Sequence, residues 1–378
     1  MGKIVGKIVL TGGPCAGKTS ALTKIEEELT EKGYKVFIVS ESATELIRGG
    51  IKPFGNMPLD LIKFQELILQ YQYQKEKIYE EAAASLEDNA KCVIIYDRGL
   101  LDNKAYINQQ LFNKLLETQG LNELEIMDNY NMVIHLVTAA DGAEEAYTLG
   151  NNNARTETKE EACALDARTV NAWAGHPNLR IIGNERDFNA KLQNVIDEIN
   201  NLIGEPISIR KQRKFLIDLS ASDLSFLNED NSTAIHIDQT YLNDKEDLET
   251  RLRKRTYNNQ SCYYLTVQLK EKDGKATILT NRKISEKEYN KMLATSISKT
   301  YISKNRYSFT KDKQYFRLDV FDELNNYALL EVDPTYENSS IKLPKEIRVI
   351  EDVTNNPYYD NHVMSEMTMH QKNKVLIK

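Results

Sequence analysis

Cysteine and tryptophan are scarce in this 378-residue chain, with four of the first and one of the second. Cys15, Cys92, Cys163 and Cys262 stand far apart, without a C-x-x-C pair or histidines at ligand spacing, which excludes a disulfide scaffold and a zinc ribbon. No apolar run approaches the roughly 18 to 20 residues needed to cross a bilayer, so an integral membrane protein is excluded. After Met1-Gly2-Lys3 comes a short β-like run and not the h-region of a signal peptide. With the scattered thiols, this predicts a reducing, cytoplasmic setting. Internal repeats and low-complexity tracts are also missing. What remains is an ordinary soluble composition, 41 % hydrophobic and 28 % charged. At about 150 residues per domain, it suffices for two cores.

Charge is uneven. Residues 1–205 carry 21 Lys and Arg against 31 Asp and Glu, whereas 206–378 carry 28 against 25. The acidic first half argues against a nucleic-acid partner. The small basic excess of the second half matters only through its placement.

The first half alternates short apolar runs with helical patterns, the signature of a parallel α/β domain. Strands are expected at Lys7–Thr11, Tyr34–Ser40, Lys91–Tyr96, Asn131–Val137 and Leu179–Ile182. Helices are expected at Lys18–Lys32, Leu59–Asp88, within 100–127 and at Asp187–Ile203. Gly204-Glu205-Pro206 then marks a boundary. Beyond it the period changes, and nine strands are expected at 207–219, 233–242, 248–258, 261–271, 274–282, 300–310, 314–322, 326–333 and 346–354. One helix, Ser285–Ser296, interrupts them. Such spacing predicts a barrel or an antiparallel sheet.

Gly12-Gly13-Pro14-Cys15-Ala16-Gly17-Lys18-Thr19, followed by Ser20, fits G-x-x-x-x-G-K-[ST] between a strand and a helix. Its glycines let successive amides turn inward, and the helix N-terminus adds partial positive charge. Lys18 is placed to reach the β/γ-phosphates of ATP or GTP, and the Thr19 hydroxyl to bind Mg²⁺. Asp97, ending the third strand, is the expected metal-side carboxylate at the same sheet edge. Arg98 is read as a phosphate or substrate clamp, or as a surface ion pair. Glu41 is read as a general base toward an acceptor hydroxyl, or as an ordinary loop acid. Arg155 and Arg168 flank a helical piece that would serve as a lid carrying a guanidinium to the transferring phosphoryl group, unless they lie on a solvated helix. Asn184 is placed to border the base. Trp173 and His176 are expected to pack, and Cys15 to be a spacer thiol.

GGPCAGKTS, SESAT around Glu41, YDRGLLD with Asp97 and Asp102, ARTE at Arg155 and AWAGHPNLRIIGN together resemble the P-loop ATPase/kinase group near nicotinamide-riboside and nucleoside kinases. The resemblance spans roughly 1–205 and implies an α/β P-loop NTPase fold, a five-stranded parallel sheet with helices and a lid.

In the second half, Arg251, Arg253 and Arg255 alternate along one strand and so share a face. That face is either solvated or aimed at a polyanion. Arg210, Gln212 and Lys214 share a face on another strand, as do Tyr264, Thr266, Gln268 and Lys270. The segments RKFLI, IDQTYL, RLRKR, YYLTVQLK, NRKIS, KNRYSF, RLDVF and ALLEVD, in this order, resemble the CYTH or triphosphate-tunnel family, whose fold is an antiparallel β-barrel. That resemblance implies Lys214, Arg251, Arg253, Arg255, Lys270, Arg282, Arg306 and Arg317 as phosphate ligands, with Asp319, Glu331 and Asp333 as metal-side acids. One departure stands out: the family's Glu-x-Glu-x-Lys is here Arg210, Gln212 and Lys214, which removes two hard oxygen ligands. The second domain, 206–378, is therefore expected to bind a triphosphate, polyphosphate or phosphoinositide head group and not to hydrolyse it. The fusion resembles the TRPL-translocation-defect type of ATPase. It implies a Mg²⁺-dependent phosphotransferase or NTPase. The open alternatives are a triphosphate hydrolase acting in the tunnel and a nucleotide-gated adaptor touching anionic lipid. The phosphate acceptor and the oligomeric state are not encoded in any motif.

Overall fold

The structure is a computed structural model that describes residues 3–143, 145, 158–204, 212–228, 231–242, 248–270, 276–296, 299–324, 326–334, 340–367 and 371. The chain divides into two compact units, Met1–Arg210 and Lys211–Pro334 with Asn338–Lys378.

The first unit is built on a parallel sheet of β1 (Lys3–Gly12), β2 (Lys35–Val39), β3 (Lys91–Asp97), β4 (Met132–Leu136) and β5 (Leu179–Ile182), in the order β2-β3-β1-β4-β5. The central strands are continuous apolar runs because helices cover both sheet faces. Ile8, Val9 and Leu10 of β1 are wholly buried, as are residues 92–96 of β3. Helices α1 (Lys18–Glu31), α2 (Ser42–Arg48), α3 (Leu61–Ala84), α4 (Gln109–Thr118), α5 (Glu123–Asn129), α6 (Lys159–Ala172) and α7 (Phe188–Ile203) connect the strands, with a 3-10 turn at Leu100–Ala105. In α1 the buried residues Ala21, Ile25 and Leu29 recur every four positions, one stripe laid on the sheet. Val195, Ile196 and Ile199 of α7 join the same core as Ile8, Leu10, Ile95 and Ile134.

Each expected strand and helix of this half is found, with α2 added. The helix after β1 leads toward the β2 edge, while β4 leads onward to β5 at the opposite edge. This reversal opens a crevice at the carboxyl ends of β1 and β4, the usual ligand position in an open α/β sheet.

The second unit is a nine-stranded antiparallel sheet: β6 (Arg213–Asp218), β7 (Ser232–Leu242), β8 (Leu248–Tyr257), β9 (Gln260–Lys270), β10 (Ala276–Ile284), β11 (Lys299–Lys311), β12 (Gln314–Phe321), β13 (Tyr327–Val332) and β14 (Arg348–Asp352). Their order is β10-β9-β8-β7-β11-β12-β13-β6-β14, with α8 (Glu286–Thr295) after β10 and α9 (Asn361–Glu366) after β14. All nine expected strands form. Among the described residues no ladder joins β10 to β14, so the sheet stands open where the sequence suggests a barrel.

Candidate functional site

Gly12 ends β1 with φ +147°, and a Cβ there would meet the Leu136 carbonyl oxygen at 2.2 Å. Only glycine lets the chain turn so close to β4. Gly17 caps α1 at φ +90°, so the loop enters the helix through a left-handed residue. Cys15 also has a positive φ, 54°. The Thr138 hydroxyl, just past β4, donates to the Pro14 carbonyl at 2.5 Å. Lys18 Nζ reaches back to the Gly12 carbonyl at 3.3 Å. Burial, reinforced by nearby Arg98, pushes the Lys18 ammonium down to about 8, against the pull of Asp97, Glu41 and Asp102. Thr19 and Ser20 are exposed in the first turn of α1.

Asp97 lies beside this loop because β3 pairs with β1 in the register Leu10↔Asp97. Its Oδ1 is buried with no hydrogen-bond partner among the described residues. Burial pushes its carboxyl up, and Lys18 pulls it back. Arg98 follows with φ 70°, its amide donating to the Leu10 carbonyl at 3.1 Å. Arg98 Nε is ion-paired with Glu41 Oε1, and Nη1 lies 3.5 Å from Asp102 Oδ1. Although burial opposes it, Arg98 and Lys18 hold the Glu41 carboxyl down to about 2. Asp102 is 3 % exposed and anchors the turn: it accepts from the Thr11 hydroxyl, from the Gly99 amide at 2.7 Å and from Trp173 Nε1 at 3.3 Å.

Beneath Arg98 lies a buried polar chain that no motif announced. Gln72 Nε2 donates to the Arg98 carbonyl at 2.9 Å and to Glu76 Oε1 at 3.0 Å. The Tyr130 hydroxyl donates to Glu76 Oε2 at 2.8 Å and accepts from the Leu100 amide at 3.1 Å. Burial pushes the Glu76 carboxyl up to about 8, more than its hydrogen bonds lower it.

Other expected residues are placed differently. The Asn184 amide nitrogen donates to the Thr138 and Asp141 carbonyls at 2.8 and 2.7 Å, and its oxygen accepts from Lys191 Nζ at 2.7 Å. Its polar atoms tie the loops after β4 and β5 together. Arg168 Nε donates to the Ala105 carbonyl at 3.0 Å. Trp173 and His176 are both fully buried, as a packing role requires. Arg155 lies outside the described residues.

In the second unit, ladder partners place a set of charges on one face. Arg251, Arg253 and Arg255 of β8 stand opposite Tyr241, Gln239 and Ile237 of β7. The same face continues through Lys304 and Arg306 of β11, Arg317 and Asp319 of β12, Glu331 of β13 and Lys214 of β6. Arg251 Nε is buried without a hydrogen-bond partner among the described residues, while Tyr241 bonds elsewhere on its side chain. Arg253 sits 5.9 Å from the Tyr264 ring centre.

The acids on this face are already engaged. Asp319 takes Lys304 at 2.6 Å and both ends of the Arg306 fork at 2.6 and 2.7 Å. Glu331 takes Arg306 at 3.0 Å, with Lys214 and Arg317 each at 3.6 Å; Asp333 takes Arg317 at 2.9 Å. These cations hold the Asp319 carboxyl well below the usual range, and lower that of Glu331, despite burial. Among the described residues, no three His, Cys, Asp or Glu side chains converge on a metal position. Glu331 and Asp333, expected on the metal side, are here ion-paired with arginines. Gln268 donates to Glu249 at 2.8 Å.

Arg282 also departs from expectation. A bulge between Ile278 and Thr280 resets the alternation of β10, so Asn281 pairs with Thr266 and Arg282 with Leu265. Arg282 is thus on the face opposite the arginines of β8, exposed and ion-paired with Glu288. The side chain of Lys270 and all of Arg210 lie outside the described residues. The segment after β14 covers part of the charged face: Lys214 Nζ donates to the Tyr359 carbonyl at 3.0 Å, Lys304 Nζ to Asn361 at 3.2 Å, and His362 stacks on Tyr241 at 4.3 Å.

A P-loop NTPase-like α/β domain joined to an antiparallel β domain is the class these features define. The family model described as "AAA domain" matches residues 7–191, just under half of the chain. No curated protein matches it. The solved structures similar to it include the crystal structure of the inorganic triphosphatase NE1496, at 22 % identity, covering 43 % of this chain and 97 % of that one, with a TM-score of 0.33. The crystal structure of the hypothetical protein NE1496 is 23 % identical, covering 42 % and 99 %, with a TM-score of 0.32. No helix among the described residues is long and apolar enough to cross a membrane.

Proposed function

We propose that residues 1–205 bind ATP or GTP with Mg²⁺ and transfer or hydrolyse the γ-phosphate, while residues 206–378 bind a second, phosphorylated ligand. The observation that carries this reading is the pairing at the loop mouth: Lys18 beside Asp97, whose Oδ1 is buried without a hydrogen-bond partner among the described residues. Hard oxygen donors of this kind suit magnesium, which takes one or two protein oxygens and fills the rest with water and phosphate. Bound there, the ion would neutralise charge developing on the phosphates.

The chain's own groups do the remainder. Loop amides and the N-terminus of α1 hold phosphate oxygens, and Lys18 adds its charge to the β/γ bridge. Glu41 is held down to about 2, too weak a base at neutral pH to take a hydroxyl proton, so it orients Arg98. Arg98 then clamps anionic substrate, and Arg155 keeps its lid assignment. In the second domain, Lys214, Arg251, Arg253, Arg255, Arg306 and Arg317 make an anion surface whose acids answer to cations. Binding of tripolyphosphate or a polyphosphate follows better from this than metal-assisted hydrolysis does.

Isothermal titration with Mg·ATP and Mg·GTP tests the first domain. Lys18→Ala is expected to weaken binding at least about 100-fold. Equal affinity in a folded Lys18→Ala protein would overturn the assignment.

A further inference from the structure

Asp166 lies on α6, 153 residues from Gly13, yet its Oδ1 accepts the Gly13 amide at 2.7 Å and the Thr138 amide at 3.1 Å. Its Oδ2 is 3.2 Å from Nε2 of His135, a β4 residue with no exposed surface. Asp166 itself is 8 % exposed. A Cβ on Gly13 would come within 2.6 Å of Asp166 Oδ1, so the carboxylate is seated directly on the peptide and needs glycine beneath it. The first amide of the phosphate loop is thus held by a protein anion.

Two further bonds fix the helix that delivers this anion. Arg168 Nε holds the Ala105 carbonyl at 3.0 Å, and Trp173, which ends α6, holds Asp102. Asp102 in turn accepts from Thr11, one residue before Gly12. The loop entrance is therefore gripped from α6 at Gly13 and from the 3-10 turn at Thr11, while Thr138 ties its next residue, Pro14, to β4.

We propose that Asp166 is a positioning residue of the phosphate loop: it locks the loop's first turn to β4 and α6 in the curvature that receives phosphate, without touching the nucleotide. This rests on the nucleotide-binding reading of the loop. A carboxylate accepting two backbone amides makes charge-assisted bonds, stronger than neutral ones. Its removal strands two buried donors beside the site, which favours a loosened loop.

The test has two arms, both on the full chain. In the absence of nucleotide, amide hydrogen exchange over residues 12–19 reads the loop alone. Asp166→Ala is expected to speed exchange there at least about tenfold while peptides from β3 and α7 stay unchanged, and Asp166→Asn, which keeps an acceptor oxygen, is expected to restore protection. In the second arm, Mg·ATP titration should show a loss of about 10- to 100-fold for Asp166→Ala and less than about threefold for Asp166→Asn, with Lys18→Ala as the control. If Asp166→Ala does not fold, Asp166→Ser is read in the same way. Unchanged loop exchange in the Ala or Ser variant overturns the proposal whatever the nucleotide does. Faster exchange with no Mg·ATP binding even by the wild-type chain keeps the positioning role and sinks the nucleotide reading instead. Equal damage from Asn and Ala also overturns the proposal, since packing and not the acceptor would then be at work.

Discussion

The two units of this chain offer charge to an anion in opposite ways. In the first, the main chain does the work: glycines at 12 and 17 shape a turn, one lysine reaches back to it, and the neighbouring Asp97 Oδ1 has no hydrogen-bond partner among the described residues. In the second, side chains do it, and most of them already answer to each other: Asp319 is gripped by Lys304 and Arg306, and Glu331 and Asp333 by Arg306 and Arg317. Backbone donors cannot turn away from the ligand. Side-chain donors must be held in place by their neighbours, and on this face carboxylates already engaged in ion pairs do much of that holding. This difference explains why the first unit supports a metal-dependent reading and the second a binding one.

Three measurements would break or sharpen the contrast, beginning with the largest effect. Asp319→Ala should destabilise the second unit by about 3–5 kcal/mol in denaturant unfolding, because Lys304 and Arg306 would be left buried without their counter-charge. A loss below about 1 kcal/mol would mean that the pairs are not what orders this face. Next, Arg251→Ala should weaken tripolyphosphate binding about tenfold. Arg282→Ala should leave it within about twofold and leave the unfolding midpoint essentially unchanged, since its ion pair with Glu288 is exposed. Similar losses from both would put the ligand on neither face in particular.

A further effect is expected in the first unit and depends on pH. Glu76 is pushed up to about 8 in the fold from an ordinary 4.5. Between those values the unfolded chain has already released a proton that the folded one keeps, so stability should decline as pH rises from about 4.5 to about 8. Glu76→Gln should flatten that decline and stabilise the unit at neutral pH, read as a melting-temperature profile from pH 5 to 8. A parallel profile in wild type and variant would show that the Gln72–Glu76–Tyr130 chain carries no such proton.

How far the sequence foretold all this depended on the range of the interaction. The phosphate loop was legible because its strand, glycines, lysine and helix are consecutive. The nine strands of the second unit were legible because alternation with a period of two is local. What was missed is long-range or set by a single residue's offset. Asp166 is an unremarkable acid on a helix until β4 and the loop close around it. One bulge in β10 moved Arg282 to the opposite side of the sheet, a shift that no composition reveals. The short helix α2 escaped because its leading residue, Glu41, provides no side-chain cap. The placing of Glu331 opposite Arg317 and Lys214 follows from cross-strand register, which only the folded ladder defines.

The open edges of the antiparallel sheet have a consequence for solubility. A bare outer strand is a template on which another chain can add a strand. Beside the exposed Ile278 and Leu279 of β10 come Arg282 and Lys283, and β14 presents Arg348, Glu351 and Asp352. Charges so placed disfavour the docking of foreign strands, and Arg282, on the side of the sheet away from the β8 arginines, is one of them.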